Sequence, residues 1–265
     1  MKADPMTLTR SAIGLGVAFL LAHGAPANAQ GPAPQEKVAE AKPGDVRVMS
    51  TAAVRTPLEA VRAEAQKAIG HPIVIQFGSA RGNIRSEILA GQAFEIAIVV
   101  PDVAEELVKQ GKAARGFYDL ARVDPSIAQR GDAPHVDVST PAALKTAMLN
   151  AKALRWGATG TSLPTINKIL DTLGIREAAQ AKFETGPTRP LAKGEYLLDI
   201  RSLSELLEDK TLRVLGPVPS ELLIPTVITA VISANPGDAA AARALVKFLQ
   251  GPGMEGALKD SGMRR

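Results

Sequence analysis

Residues 45–100 read DVRVMSTAAVRTPLEAVRAEAQKAIGHPIVIQFGSARGNIRSEILAGQAFEIAIVV. Short apolar runs alternate here with longer helical patterns, which predicts strands at 46–49, 72–77 and 94–100 and helices at 52–69 and 83–90. Such alternation indicates an α/β fold in which helices cover both faces of a largely parallel sheet. Ligands of these sheets bind beyond the carboxyl ends of the strands. We therefore look for a binding site in the residues that follow each strand.

A second set of strand–turn–helix units follows the turn predicted at Asp124-Pro125. Ser139 or Thr140 is the predicted cap of a helix that begins at Pro141, and a short strand at 153–156 runs into the Gly/Thr/Ser turn 157–162 and another helix. The order of the units predicts two lobes, with residues 45–117 plus 222–265 in lobe 1 and residues 118–221 in lobe 2. One larger sheet is the alternative.

The first residues are typical of a secretory signal peptide. Lys2 and Arg10 precede an apolar run at 13–22, and Ala27-Asn28-Ala29 forms a small-x-small cleavage site. The apolar run is too short to span a bilayer. We expect residues 1–29 to be a cleaved signal peptide, residues 30–44 to be a disordered leader, and the protein to be periplasmic. An uncleaved N-terminal anchor is the alternative.

Composition excludes several classes of function. The chain has no cysteine, which removes disulfides, thiolate nucleophiles and most structural zinc sites. It contains no G-x-S-x-G, H-E-x-x-H or P-loop pattern. A formal net charge of +4 is too small for a nucleic-acid surface. We therefore expect no metal, no cofactor and no nucleic-acid partner.

Hydrogen-bond donors follow several predicted strands. A helix start presents unpaired N–H groups and a partial positive charge, and an arginine can bind a carboxylate through two parallel hydrogen bonds. We expect these donors to face one gap between the lobes and to bind a small anion. The candidate ligand-binding residues are Ser50, Thr51, Ser79, Arg81, Thr159, Thr161 and Arg201. For each Ser and Thr, a plain helix cap is the alternative.

Four segments together resemble the periplasmic molybdate-binding proteins of ABC importers, namely residues 45–53, 77–79, 94–100 and 241–252. The resemblance covers most of the chain beyond the leader and rests on the order and spacing of these segments. It implies the two-lobed type 2 periplasmic binding protein fold, in which two crossings join the lobes and the ligand lies in the cleft between them. It also implies a monomer that works with the membrane components of an importer.

Three departures from that family bear on the ligand. Val54 follows Ala52-Ala53 where molybdate binders tend to carry Ala-Ala-Ser, Ala80-Arg81 interrupts a Gly-Ser-Ser-Gly pattern, and Arg201 stands where a tyrosine is expected. These features resemble the divergent branch that includes the aconitate isomerases. The added arginines favour an organic carboxylate over a compact tetrahedral oxyanion.

Three functional hypotheses follow. The first is a solute-binding protein that captures a small anion without turnover. The second is an enzyme of the aconitate isomerase type, which needs a base to move a proton and for which Glu195 and Asp199 are the candidates. The third is an interaction or sensory protein that kept the scaffold and binds no ligand.

Overall fold

A computed structural model describes residues 42–185 and 190–265 of the chain. The predicted signal peptide and most of the predicted leader lie outside the described residues. At the start of the described part, the amide of Lys42 donates to the Asp45 carboxylate at 2.7 Å, which closes a turn before the first strand. None of the helices in the two described ranges is long and apolar enough to cross a bilayer.

The described chain contains nine strands and nine α-helices. The strands are β1 (Val46–Thr51), β2 (Ile73–Gly78), β3 (Ile96–Val99), β4 (Tyr118–Val123), β5 (Pro125–Arg130), β6 (Ala153–Trp156), β7 (Leu197–Ser202), β8 (Arg213–Pro217) and β9 (Thr226–Ile232). The helices are α1 (Arg55–Ile69), α2 (Arg85–Leu89), α3 (Pro101–Lys109), α4 (Pro141–Asn150), α5 (Leu163–Thr172), α6 (Arg176–Gln180), α7 (Leu203–Glu208), α8 (Ala239–Gln250) and α9 (Gly253–Asp260). A 3₁₀ turn at Ala52–Val54 precedes α1, and a π-helical turn at Ala80–Ile84 precedes α2.

The first sheet has the strand order β2-β1-β3-β9-β4. Strand β1 pairs in parallel with β2 and β3, whereas β9 runs antiparallel to β3 and β4. Every residue of β3 is buried, as its continuous apolar sequence predicts for a central strand covered on both faces. Helix α1 buries Leu58, Val61 and Ala65, which are spaced three or four residues apart and so share one face.

The second sheet has the order β6-β7-β5-β8, with β6 parallel to β7 and the other pairs antiparallel. Its core is separate from that of the first sheet and contains Leu144 of α4, Ile169 of α5 and Ile200 of β7. Trp156 closes this core by stacking on Phe183 at 4.3 Å between ring centroids. Two separate cores on two sheets confirm the two-lobed α/β architecture and exclude one larger sheet.

The chain crosses between the sheets twice, at Asp124 between β4 and β5 and at residues 218–225 between β8 and β9. Strand β4 pairs with β9 in the first sheet. We therefore propose Asp124 as the first lobe boundary, a few residues beyond the predicted one at 117. Strand β5 occupies a segment for which the sequence indicated only a turn, because Pro125 is tolerated as the first residue of a strand.

Candidate functional site

The candidate residues lie at the carboxyl ends of four strands from both sheets. Ser50 and Thr51 end β1, and Ser79 and Arg81 follow β2. Thr159 and Thr161 lie in the turn after β6, and Arg201 is next to last in β7. These are the positions at which open α/β sheets bind ligands.

The turn after β2 contacts the turn after β6 directly, across the two lobes. The Ser79 hydroxyl donates to the carbonyl oxygen of Thr159 at 2.6 Å, and the hydroxyl oxygens of the two residues are 2.7 Å apart. Gly82 permits this approach, because a Cβ at that position would lie 2.8 Å from the Thr159 hydroxyl and 2.9 Å from Ser79 Cβ. The two lobes are therefore in contact at these two turns.

Arg81 joins the two lobes at the same place. Its Nε and Nη2 donate to the two carboxylate oxygens of Asp102 at 2.8 Å, and its Nη1 donates to the carbonyl oxygen of Gly160 at 2.9 Å. Arg81 also lines a cavity of about 640 Å³ between the starts of α3 and α5, together with Thr161 and Thr226. Three of the five guanidinium N–H groups are thus occupied by the protein itself.

Ser50 and Thr51 are both buried, and each hydroxyl bonds to neighbouring backbone. The Ser50 hydroxyl donates to the Thr51 carbonyl oxygen at 3.1 Å, and the Thr51 hydroxyl accepts from the Ala53 amide at 3.4 Å. Thr51 is thereby the cap of the 3₁₀ turn that leads into α1. A ligand contact from either hydroxyl would require it to exchange one of these local bonds.

The start of α5 offers a buried hydroxyl that has no partner. Ser162 is the residue before α5 and is 3% exposed, and its Oγ has no hydrogen-bond partner among the described residues. The neighbouring Thr161 hydroxyl lies 2.9 Å from the Ser202 hydroxyl at the end of β7. A buried polar group without a partner costs free energy, so Ser162 is a position where a ligand or water would be stabilised.

Arg201 projects from β7 beside a second cavity of about 240 Å³, which Arg155, Trp156, Gly157, Glu184 and Thr185 also line. Its Nε and Nη2 donate to the two carboxylate oxygens of Asp199 at 2.8 and 2.9 Å. Asp199 is fully buried, whereas Arg201 is 25% exposed. Arg81 and Arg201 therefore line different cavities, and each guanidinium is held by a carboxylate of its own lobe.

Charges around Arg201 form a larger cluster. Burial lowers the pKa of Arg201, but its hydrogen bonds to Asp199 and the attraction of Asp199, Glu205 and Asp209 outweigh that effect, and the net shift is upward. Burial raises the pKa of Glu205, and the nearby Arg201 opposes this rise. Asp209 accepts from Arg130 at 2.7 Å. Arg201 is therefore fully charged at neutral pH.

The two carboxylates considered as bases are engaged in other contacts. Glu195 pairs with Lys152 at 2.9 Å and accepts from the amide of Ala192 at 2.9 Å. Asp199 is fully buried, and its carboxylate accepts a hydrogen bond from Arg201. Among residues 42–185 and 190–265, no three or more Asp, Glu or His side chains are grouped so that they could hold a metal ion.

Four residues that the site prediction left out contribute to this region. They are Asp102, Ser162, Asp199 and Ser204, whose hydroxyl donates to the Ala53 carbonyl oxygen of the other lobe at 2.7 Å. Asp199 was considered from the sequence only as a base, but its pairing with Arg201 could also have been predicted, because it lies two residues before Arg201 and so shares a face of the same strand. The role of Asp102 depends on tertiary structure, since it is far from Arg81 in the chain.

Comparison with known proteins gives the same fold. The chain is 27% identical to the molybdate-binding protein ModA of Azotobacter vinelandii over 225 residues, which cover 80% of this chain and 86% of that protein. It is 22% identical to an aconitate isomerase of a Pseudomonas species over 226 residues, with coverages of 82% and 86%. The solved structure of the periplasmic molybdate-binding protein of A. vinelandii superposes with a TM-score of 0.65 at 18% identity, covering 83% of this chain and 99% of that one.

The sequence profile described as bacterial extracellular solute-binding protein matches residues 46–264. That range runs from the first residue of β1 to the residue before the C-terminus and therefore includes both sheets and both crossings. The chain belongs to the bacterial extracellular solute-binding protein family.

Proposed function

We propose that this protein is an exported solute-binding protein that captures a small anion, an organic carboxylate in preference to molybdate, between its two lobes. The observation that carries the proposal is the convergence of strand ends from both sheets, where the Ser79 turn contacts the Thr159 turn. The Ser79 and Thr159 hydroxyls and the Arg81 guanidinium, which bonds to Gly160, lie at this contact, and Arg201 lies in a separate cavity of lobe 2. Such groups stabilise negative charge without needing a metal or a covalent step.

The proposed binding groups come from both lobes. In lobe 2 they are Thr159, Thr161, Arg201 and, in addition to the residues predicted from sequence, Ser162. In lobe 1 they are Ser50, Thr51, Ser79 and Arg81. Two features support the lobe 2 side most strongly. The first is the Ser162 hydroxyl at the start of the ten-residue helix α5, which has no partner within residues 42–185 and 190–265, and the second is the charged, partly exposed guanidinium of Arg201 in the 240 Å³ cavity.

Guanidinium chemistry supports a carboxylate ligand. The planar fork of an arginine matches the two oxygens of a carboxylate and can bind them through two parallel hydrogen bonds. One relative is named for molybdate and the other for aconitate, and both of these are small anions. Because Asp199 already neutralises part of the positive charge of Arg201, we expect a ligand of modest negative charge to bind best.

The cellular setting follows from the family and from the N-terminal sequence. We propose that the signal peptide at residues 1–29 exports the chain to the periplasm, where it acts as a monomer. There it would deliver its ligand to the membrane components of an ABC importer. This part of the proposal rests on the leader pattern and on the family, whose description is extracellular solute binding.

A second candidate is isomerisation of cis- and trans-aconitate, which the aconitate isomerase relative favours. Such a reaction needs a carboxylate or another base within reach of the substrate. Glu195 bonds to Lys152, and Asp199 is buried against Arg201, so neither candidate base is poised for proton transfer. We therefore rank this function below binding without turnover.

A thermal-shift screen tests the proposal. Purified protein is heated with mono-, di- and tricarboxylates, sulfate, phosphate and molybdate, each at millimolar concentration. A ligand at one hundred times its Kd stabilises the folded protein by about 2.7 kcal/mol, which corresponds to roughly 5–10 °C for a chain of this size. We expect at least one organic carboxylate to give such a shift. If no anion stabilises the protein, the proposed function is wrong.

The same samples test the enzyme alternative. Protein incubated with cis-aconitate is followed by proton NMR for appearance of the trans isomer, against a blank without protein. Binding without conversion supports the solute-binding function. Conversion above the blank would favour the isomerase instead.

A further inference from the structure

The turn after β2 carries an arginine whose hydrogen bonds extend to both lobes. Two Arg81 nitrogens bond to Asp102 at the start of α3 in the same lobe, and the third bonds to the backbone carbonyl of Gly160 in the other lobe. The backbone amide of Arg81 also donates to Thr159 O at 3.2 Å. Both bonds to lobe 2 must break when the lobes separate.

We propose that Arg81 is a clasp that holds the lobes closed and that Asp102 is the positioning residue that aims it. The two-point contact with Asp102 fixes the plane of the guanidinium, so that Nη1 points at the Gly160 carbonyl oxygen. Asp102 is 58% exposed, so the ion pair itself adds little stability. Its effect is to orient Arg81, which is only 19% exposed and bonds across the lobe interface.

The clasp favours the closed state whether or not a ligand is bound. A hydrogen bond from a charged donor stabilises one state by enough to change its population about tenfold or more. A ligand that binds between closed lobes then spends less of its binding free energy on closure. The inference depends on hinge motion about the two crossings, and it does not depend on which anion is bound.

A neighbouring ion pair provides a matched control. Arg85 lies four residues after Arg81 and bonds to Glu106, which lies four residues after Asp102. The two pairs join the same two segments of lobe 1. The guanidinium of Arg85 bonds to Glu106 within its own lobe, whereas that of Arg81 also reaches Gly160 of the other lobe. Removing Arg85 therefore tests the loss of a similar charge without loss of the clasp.

The distance between the two lobes shows directly whether Arg81 shifts the protein toward the closed form. The chain has no cysteine, so Lys67→Cys on α1 and Lys145→Cys on α4 accept one spin label on each lobe. Pulsed electron resonance on ligand-free protein gives the ratio of closed to open molecules. We expect Arg81→Ala to lower this ratio about tenfold and Asp102→Asn to lower it by a smaller factor of about three. Arg85→Ala should leave it unchanged.

Other outcomes would overturn the inference. The proposed role of Arg81 is wrong if Arg81→Ala leaves the ratio of closed to open molecules within twofold of the wild type, or if Arg85→Ala lowers that ratio equally. It is also wrong if the wild-type protein has no closed component. Should Arg81→Ala fail to fold, Arg81→Lys keeps the charge but loses the fork and should still shift the ratio toward the open form. Because no anion is added, a failed anion screen leaves this measurement intact, and the two proposals fail separately.

Discussion

Both carboxylate oxygens of Asp199 accept hydrogen bonds from the guanidinium of Arg201, at 2.8 and 2.9 Å, and Asp199 is fully buried. This pair fixes the guanidinium that β7 contributes to the lining of the 240 Å³ cavity. An arginine held in this way presents its remaining N–H groups in a constant direction. The pair therefore contributes both to stability and to the shape of the proposed site.

Asp199→Asn should destabilise the fold. The variant leaves Arg201 without its counter-charge in a mostly buried place, so we expect the free energy of unfolding to fall by about 2–4 kcal/mol. Urea denaturation at pH 7 measures this loss. Asp171→Asn removes a similar contact to Arg176 on the surface and should cost less than about 0.5 kcal/mol. Equal losses in the two variants would contradict the role assigned to Asp199.

Ser162→Ala separates ligand binding from stability. The Ser162 hydroxyl has no partner among the described residues, so its removal should leave the ligand-free protein equally or more stable. The same change should weaken binding of the anion identified by thermal shift by about tenfold in Kd, since a hydrogen bond to a charged ligand is lost. Titration calorimetry on both proteins measures the change in Kd.

Thr229→Val is the matched control for Ser162→Ala. The Thr229 hydroxyl is also buried without a partner among the described residues, but it lies on β9 within the first sheet. Its removal should leave anion affinity unchanged. If both variants weaken binding equally, or if neither does, Ser162 is not a ligand contact.

Gly82→Ala should disturb the contact between the lobes. The new Cβ would lie under 3.0 Å from both Ser79 and Thr159, so the two turns must move apart. We expect a loss of about 1–3 kcal/mol in the free energy of unfolding, together with weaker anion binding. At Gly256 of α9 a Cβ would have no neighbouring atom within 4 Å outside the helix's own backbone, and Gly256→Ala should be stabilising by about 0.5–1 kcal/mol. If Gly82→Ala changes neither the free energy of unfolding nor anion binding, the two turns are not closely packed in solution.

Glu95 should make the stability of the first lobe depend on pH. Burial raises the pKa of Glu95. Hydrogen bonds from the Arg47 side chain and from the amides of Arg47 and Gly237 lower it by more, so the pKa lies below its ordinary value of 4.5. A lowered pKa in the folded state means that the stabilisation is present above about pH 4.5 and is lost as the pH falls below it.

Glu95→Gln tests that dependence. At pH 7 the variant should be less stable than the wild type by about 2 kcal/mol, and the difference should shrink as the pH falls from 4.5 toward 3. Denaturant melts at several pH values measure it. Glu106→Gln, which alters a more exposed pair, should cost less than about 1 kcal/mol at pH 7. A constant Glu95→Gln effect down to pH 3 would contradict the assignment.

Most of the fold could be predicted from local sequence signals. Pro141 begins α4 as predicted, and Thr140 is the one of the two predicted caps that accepts from the Ala143 amide. Helix α8 buries the predicted face that contains Leu245 and Leu249. Strand β5 could not be predicted, because Asp124-Pro125 is a turn signal and only pairing with β7 and β8 makes the segment a strand. For the same reason, the proposed first boundary at Asp124 differs from the one predicted at residue 117.

The candidate site could be predicted only as a region. Thr51 and Ser162 both precede helices, yet Thr51 caps its turn whereas Ser162 has no partner in the described part of the chain. Sequence cannot separate these two states, because the difference lies in side-chain direction. The neutralisation of Arg81 by Asp102 likewise arises from tertiary packing of α3 against the turn after β2.

A crystal structure of the protein bound to the anion that stabilises it most would show which residues hold that anion. We predict that the anion lies in the gap between the lobes, within hydrogen-bond distance of Ser162 and of the Arg201 guanidinium. An anion bound on an outer surface, with Ser162 without a partner among the described residues and Arg201 bonded only to Asp199, would contradict this prediction.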